Sequence, residues 1–65
     1  MTLTPEKAIE GWEDAIKENE AHIKRKWTFV ERGAIELELS GIKVLEAENE
    51  MYRLLIESTR RKFGL

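Results

Sequence analysis

At 65 residues and without cysteine, the chain has room for one small domain and no disulfide to stabilise it. Charged residues make up 37% and hydrophobic residues 42%, a balance that argues against both intrinsic disorder and a membrane span. The formal net charge of −2 excludes a general electrostatic attraction for nucleic acid or anionic membrane. Because so small a domain buries only about 60% of its chain's surface, we expect it to associate with copies of itself or with partners.

The chemistry-bearing residues predict no catalysis. The single histidine, His22, has only Glu18 one turn earlier on its helical face, and such a pair is neither a metal site nor a nucleophile with its base. The glycines are scattered, so the sequence has no glycine-rich phosphate loop. We therefore expect no enzymatic activity, no cofactor and no metal. The amino-terminal segment has neither a basic stretch nor an apolar core, so we expect no secretory signal and a cytoplasmic location.

The first helix is predicted over residues 5–25. Thr4 can cap its free amides, Pro5 suits the first helical position, and Glu6 complements the helix dipole. A single apolar stripe then recurs at three- and four-residue spacing, formed by Ala8, Ile9, Trp12, Ala15, Ile16, Asn19 and Ile23. One stripe predicts one buried face.

The segment 27–39 decides the predicted fold class. Residues 35–40 alternate between apolar and polar side chains, and residues 27–30 before them are rich in strand formers. Gly33 lies between these runs, where a short hairpin loop requires a positive φ. The pattern favours a β-hairpin, and with it an α+β fold in the order helix, β-hairpin, helix. The alternative is an all-α antiparallel helical hairpin, with Gly33 as the cap of the first helix, that forms an oligomeric bundle.

A second helix is predicted over residues 41–62, with residues 63–65 as a short carboxy-terminal tail. Ser40 can cap this helix, and Leu39 and Val44 have the spacing of a hydrophobic staple. The apolar side is wide and holds two rows, the first being Ile42, Leu45, Tyr52 and Ile56 and the second Val44, Met51 and Leu55, with Ala47 and Leu54 beyond. One helix and a two-stranded hairpin cannot cover all of it, so we expect part of this face to meet another chain.

Two residues within the predicted helices each allow two interpretations. Gly11 costs about 1 kcal/mol relative to alanine in a helix, so it either admits a neighbouring subunit or is a tolerated exposed glycine. Asn49 lies seven residues from both Ile42 and Ile56. A single polar residue in an apolar row can fix register or oligomeric state, and otherwise it lies at the rim of the row.

Two basic clusters each end in an aromatic residue, Lys24-Arg25-Lys26-Trp27 and Arg60-Arg61-Lys62-Phe63. Cations beside an aromatic ring suit contact with phosphate or single strands, yet the helix dipole also favours lysine and arginine at carboxy termini. The dipole explains the first cluster. Phe63 and Leu65 lie on the predicted tail, which has no core of its own to enter, so we expect the tail to dock on a partner.

A helix, a short β-hairpin, a second helix and a basic-then-aromatic tail resemble the gpW-like head-to-tail joining proteins of tailed bacteriophages. The resemblance covers nearly the whole chain. It rests on the Met1-Thr2 start of an acidic helix, the Gly33 turn, the Ser40 cap and the run Thr59-Arg60-Arg61-Lys62 before Phe63-Gly64-Leu65. The chain departs from the family in a longer first helix, a shorter tail and two tryptophans.

The resemblance implies a structural protein of the virion connector that is assembled in the host cytoplasm. Such a protein forms a ring with copies of itself and binds the portal and tail-side proteins, with DNA nearby but not read by sequence, and without membrane contact. The alternative function is a regulatory or inhibitory module, a dimeric helical hairpin that acts on nucleic acid or a host protein. Both tryptophans suit either a core or a contact, and we favour the core for both, since such rings carry most buried area. The interface candidates are Trp12, Trp27, Asn49, Arg60, Arg61, Lys62, Phe63 and Leu65.

Overall fold

The chain folds into two long helices that form an antiparallel hairpin. The computed structural model describes residues 3–31, 33 and 35–65, and the side chains of these residues except 31 and 35–38. Helix α1 spans Pro5–Glu31 and helix α2 spans Ile35–Phe63. The described residues include no strand, so the predicted α+β fold is wrong and the chain is the all-α helical hairpin of the alternative.

The segment predicted as a β-hairpin, 27–39, is helical on both sides of the turn. Residues 27–31 continue α1 and residues 35–39 begin α2, so Ser40 lies inside α2 and does not cap it. An isolated two-stranded hairpin is marginal in water and leaves both edges unpaired, whereas each residue added to an existing helix gains a backbone hydrogen bond. Extension of both helices therefore outweighs the local strand propensity of this segment.

Gly33 lies where the chain reverses after α1. Its φ is 101°, and its amide donates a hydrogen bond to the carbonyl oxygen of Val30 at 3.0 Å. This is the glycine cap that the all-α alternative requires, because a residue with a Cβ is strained at such a φ. Only residues 32–34 separate the two helices, so α2 returns alongside α1.

The start of α1 agrees with the predicted cap. The hydroxyl oxygen of Thr4 accepts a hydrogen bond from the Lys7 amide at 3.2 Å. The Thr4 carbonyl accepts the first helical hydrogen bond, from the Ala8 amide at 3.0 Å. Pro5 is the first residue of α1, where its missing amide hydrogen costs nothing. This end of the helix is specified by its own local sequence.

The end of α2 is closed by the last residues of the chain. Gly64 has a φ of 69°, and the Leu65 amide donates to the Arg60 carbonyl oxygen at 2.9 Å. This hydrogen bond is the outer one of a Schellman cap. Phe63 is the last residue of α2, so the predicted three-residue tail beyond the helix does not exist as such. The terminal residues complete the helix and do not extend away from it.

The core is a single seam between the two helices. Ile9 and Ile42 are 6% and 3% exposed, and no described side chain is completely buried. The half-buried residues of the seam are Ala8, Trp12, Ala15, Ile16, Asn19, Ile23 and Val30 on α1 and Leu45, Tyr52 and Ile56 on α2. The molecule is a rod of 46 × 20 × 15 Å. One layer of two helices can shield only the sides that face each other.

Candidate protein-binding face

Helix α2 carries apolar residues on two opposite faces. Its inner face packs against α1 and includes Ile42, Asn49 and Ile56, spaced seven residues apart. A residue two positions further along a helix is rotated by about 200°, so it lies on the opposite side. That side carries Val44, Ala47, Met51, Leu54 and Leu55, which we call the outer stripe.

The outer stripe is exposed along its whole length. The exposed fraction is 59% for Val44, 50% for Met51 and 58% for Leu54, and Leu55 and Ala47 are exposed as well. Single apolar side chains are ordinary on a protein surface. Five on one face of one helix form a continuous patch, and such patches mark interaction sites.

The spacing within the outer stripe is that of a coiled coil. Val44, Ala47, Met51 and Leu54 follow one another at steps of three, four and three residues. Residues at these steps form a narrow row that faces a partner helix, each side chain entering a gap between four residues of that helix. The spacing of the outer stripe is therefore typical of a helix face that packs against another helix.

Helix α1 has no second apolar face. The exposed residues opposite its seam are Lys7, Glu10, Asp14, Lys17, Ala21, Lys24, Arg25 and Thr28. This surface is charged and polar apart from one alanine, as expected for the solvent side of an amphipathic helix. The exposed apolar stripe thus belongs to α2 alone.

The surface of the folded chain is larger than that of a compact protein of its size. The accessible surface is 5256 Å² for a chain of 7.6 kDa, whereas a compact monomer of this mass exposes about 4,300 Å². The radius of gyration is 14.8 Å, against about 11 Å for a compact chain of this length. The excess of about 1,000 Å² is close to the ~800 Å² that one partner buries in a stable interface.

Two asparagines meet in the middle of the seam. The side-chain amide nitrogen of Asn19 donates to the side-chain oxygen of Asn49 at 2.9 Å. Asn49 is only 3% exposed, and no described buried side-chain nitrogen or oxygen lacks a partner. Asn49 thus faces α1 of its own chain. A buried polar pair of this kind fixes the register of the two helices, because sliding would leave both amides unpaired.

Trp12 lies near the end of the hairpin where the chain starts and stops. It is half-buried in a shallow groove of about 410 Å³ that is also lined by Leu3, Pro5, Ala8 and Phe63. Phe63 itself is 54% exposed, and Leu65 lies next to Ile9 and Arg60 on the other side. The structure therefore places these aromatic candidates together, at one end of the rod.

Trp27 lies towards the other end of the rod. It is 44% exposed, and Phe29 two residues later is 50% exposed. Neither ring is an anchor of the seam, because the seam passes through Val30. The structure does not bring Trp27 close to the other candidate residues within one chain.

The basic residues at the end of α2 make local contacts. Arg61 donates to a Glu57 carboxylate oxygen at 2.7 Å, and the Lys62 ammonium lies 5.7 Å from the centre of the Phe63 ring. Arg60 lines a groove with Ile9 and Leu65. Lysine and arginine here also complement the negative end of the helix dipole. These contacts account for the cluster without any phosphate.

The described residues offer no centre for metal chemistry. Among the side chains that the structure describes, which exclude those of residues 31 and 35–38, no three histidine, cysteine or acidic groups come together as metal ligands would. The Arg25 guanidinium, one turn away on the surface of α1, lies within hydrogen-bond distance of His22 Nδ1, at 3.1 Å. Neither helix, over the residues described, combines the length and apolarity that a membrane span requires.

Sequence reasoning missed the detail of this arrangement. It expected part of the wide apolar side of α2 to meet another chain, but it listed no residue of the outer stripe as an interface candidate. It did not foresee Asn19 as the partner of Asn49. The signal for the stripe was present in the three-four-three spacing from Val44 to Leu54. No local signal pairs Asn19 with Asn49, because their meeting depends on the length of the turn.

Comparison with models of known protein families, with curated proteins and with solved structures finds no match for this chain.

Proposed function

We propose that the protein is a small, non-enzymatic binding module that works as a dimer of helical hairpins. The observation that supports this proposal is the exposed outer stripe of α2. A second copy carries the same stripe, so each copy can cover the other, and a self-complementary patch is what a two-fold dimer requires. The two α2 helices then bury between them apolar side chains that one hairpin leaves exposed.

A dimer also accounts for the stability of so small a chain. The hairpin has one seam, two nearly buried isoleucines and no disulfide. Chains of this size are usually stabilised by crosslinks, metals or association. Burial of the outer stripe adds apolar area that contributes about 25 cal/mol for each Å² removed from water.

The target of the dimer is a protein rather than a nucleic acid. Arg53 and Arg61 pair with Glu20 and Glu57, at 3.5 Å and 2.7 Å, and each chain has a net charge of −2. The exposed rings of the chain, such as Trp27, are of the type enriched in protein interfaces. We expect no binding of a labelled single-stranded oligonucleotide at low salt, where electrostatic binding is strongest. Tight, salt-sensitive binding would contradict a protein target.

The connector function that the resemblance implies stays a prediction. It rested on the order helix, β-hairpin, helix and on a tail beyond the second helix. The described chain has neither feature, because α2 begins at Ile35 and ends at Phe63. The two observed helices favour the alternative hypothesis, a dimeric helical hairpin.

Sedimentation equilibrium of the purified chain over a range of concentrations tests the dimer directly. We expect a mass of about twice 7.6 kDa at high concentration and dissociation on dilution. A mass of one chain at every concentration would refute the proposal.

A pair of identical substitutions gives the control. Ala47 of α2 and Ala21 of α1 are both exposed alanines inside a helix. Ala47→Glu places two carboxylates in the proposed interface and should weaken dimerisation by about 100-fold or more. Ala21→Glu makes the same change on the polar side of α1 and should leave the dimer unchanged. Circular dichroism should show the same helix content for both variants, so that a difference in dimerisation is not a difference in folding.

A further inference from the structure

We infer that the two α2 helices of the dimer run antiparallel and cross near residue 49, so that they lie side by side with one α1 on the outer side of each. This inference rests on the proposed function. It adds the direction and the register of the partner, which a mass measurement cannot give. Two features of the outer stripe carry it, namely the sizes of its side chains and the charges at its two ends.

The sizes of the side chains favour the antiparallel direction. With a crossing near residue 49, Ala47 faces Met51 of the second copy, and Val44 faces Leu54. A small side chain then meets a long, flexible one in each central layer, which fills space evenly. Two α2 helices running in the same direction would set Ala47 against Ala47 and Met51 against Met51. Gaps and collisions would then alternate along the interface.

The charges along α2 favour the same direction. The segment 36–48 has four glutamates and one lysine, whereas the segment 50–62 has four basic residues and two glutamates. Antiparallel copies that cross near residue 49 place the first segment of one beside the second segment of the other. Parallel copies place like beside like, and Arg61, seven residues after Leu54 in the stripe, would face its own copy.

The hairpin itself already follows this polarity. The first half of α1, residues 6–20, has six acidic residues against two lysines, and it packs beside the basic half of α2. Arg53 of α2 lies 3.5 Å from a carboxylate oxygen of Glu20 across the seam. An antiparallel second α2 repeats, on the outer side, the charge pairing that α1 makes on the inner side.

Individual ion pairs do not reverse this preference. A parallel dimer could pair Lys43 with Glu48 and Glu57 with Lys62 of the second copy. Glu57 is already held by Arg61 at 2.7 Å, and exposed pairs contribute little. The antiparallel register offers Lys43 to Glu57 instead, and it sets Glu48 opposite Glu50 of the second copy, a like pair at the edge of the stripe. Packing in the centre of the stripe and the charge of the two ends therefore decide the direction.

Cysteine crosslinking tests the direction, because the chain has no cysteine of its own. Val44→Cys and Leu54→Cys are made as separate single variants at exposed positions. A disulfide requires Cα atoms within about 7 Å. In the antiparallel register, residue 44 of one copy lies opposite residue 54 of the other, whereas like positions are about 15 Å apart along the axis at 1.5 Å per residue.

We expect a mixture of the two variants, under mild oxidation, to give crosslinked heterodimers, which mass spectrometry distinguishes from homodimers. Each variant alone should stay uncrosslinked, as should an Ala21→Cys control. Homodimers of Val44→Cys and of Leu54→Cys formed separately would show a parallel dimer and overturn the inference. If the protein has the mass of a dimer in solution but no crosslink forms, the inference is also overturned, because the copies then meet elsewhere. If no crosslink forms and the protein has the mass of one chain, the proposed function is refuted as well.

Discussion

Helices α1 and α2 have nearly the same length, 27 and 29 residues, but differ in how many apolar faces they carry. Helix α1 has one, which lies in the hairpin seam, and Trp27 and Phe29 remain exposed near the end of the helix. Helix α2 has two, and the seam uses the inner one, with Ile42 at 3% exposure while Val44 remains at 59%. The difference separates two tasks within one helix. The inner face of α2 holds the hairpin together, and the outer stripe stays exposed, which is why we propose it as the dimer interface.

The largest expected effect comes from breaking the inner face. Ile42→Ala should lower the free energy of unfolding by about 2–5 kcal/mol, because it removes a nearly buried side chain from the seam between the helices. Urea unfolding followed by circular dichroism measures this, in the Ala47→Glu background to keep the chain monomeric. Val44→Ala in the same background should cost less than about 0.5 kcal/mol. Equal losses at the two positions would show that the two faces of α2 are not distinct.

The asparagine pair tests whether the seam is specified by polarity as well as by burial. Asn49→Ala should cost about 1–3 kcal/mol, because it leaves the Asn19 amide without its partner. The double variant Asn19→Leu with Asn49→Leu should recover much of that loss and relax the register. A double-mutant cycle by urea unfolding measures the coupling. Additive losses would mean that the hydrogen bond contributes nothing to the seam.

Two glycines should respond in opposite directions to the same change. Gly33→Ala should cost about 1 kcal/mol, because Gly33 has a φ of 101°. Gly11→Ala should stabilise the chain by about 0.5–1 kcal/mol, because an added Cβ meets nothing within 4 Å on the exposed side of α1. Thermal unfolding measures both. If Gly11→Ala weakens the dimer, α1 also contacts the second copy and the comparison of the helices fails.

The smallest expected effect is at Arg61. It pairs with Glu57, and both side chains are exposed, Arg61 to 76% and Glu57 to 64%. Arg61→Ala should therefore change the free energy of unfolding by only about 0.3–0.5 kcal/mol. Urea unfolding at low and high salt measures this, and a loss well above that range would show that Arg61 has a further contact in the dimer.

The parts of the fold that depend on local sequence could be predicted. The Thr4 cap and the single stripe of α1 follow from neighbouring residues, and so does the wide apolar side of α2. The segment 27–39 could not be settled in this way. Its alternation suits a strand, but Ile35 and Leu39 are also one helical turn apart, so a short segment satisfies both periods.

The candidate site was predictable in outline and not in detail. The excess apolar surface of α2 follows from counting its rows of side chains. Which row meets α1 does not, because the turn after Gly33 sets the register and places Asn49 against Asn19. The false hairpin also shifted the predicted start of α2 to residue 41, with Ser40 as its cap, whereas the helix begins at Ile35.

The adjacent ends of the chain make the hairpin suitable for rewiring. Leu3 and Phe63 line the same groove at one end of the rod, while Gly33 lies at the turn between the helices. A short flexible linker could therefore join the two ends, and new termini could be opened at Gly33, in a circular permutant that keeps every seam contact. Such a permutant would carry a fusion partner at the opposite end of the rod. The linker would not touch the outer stripe, so the permutant could still form the proposed dimer.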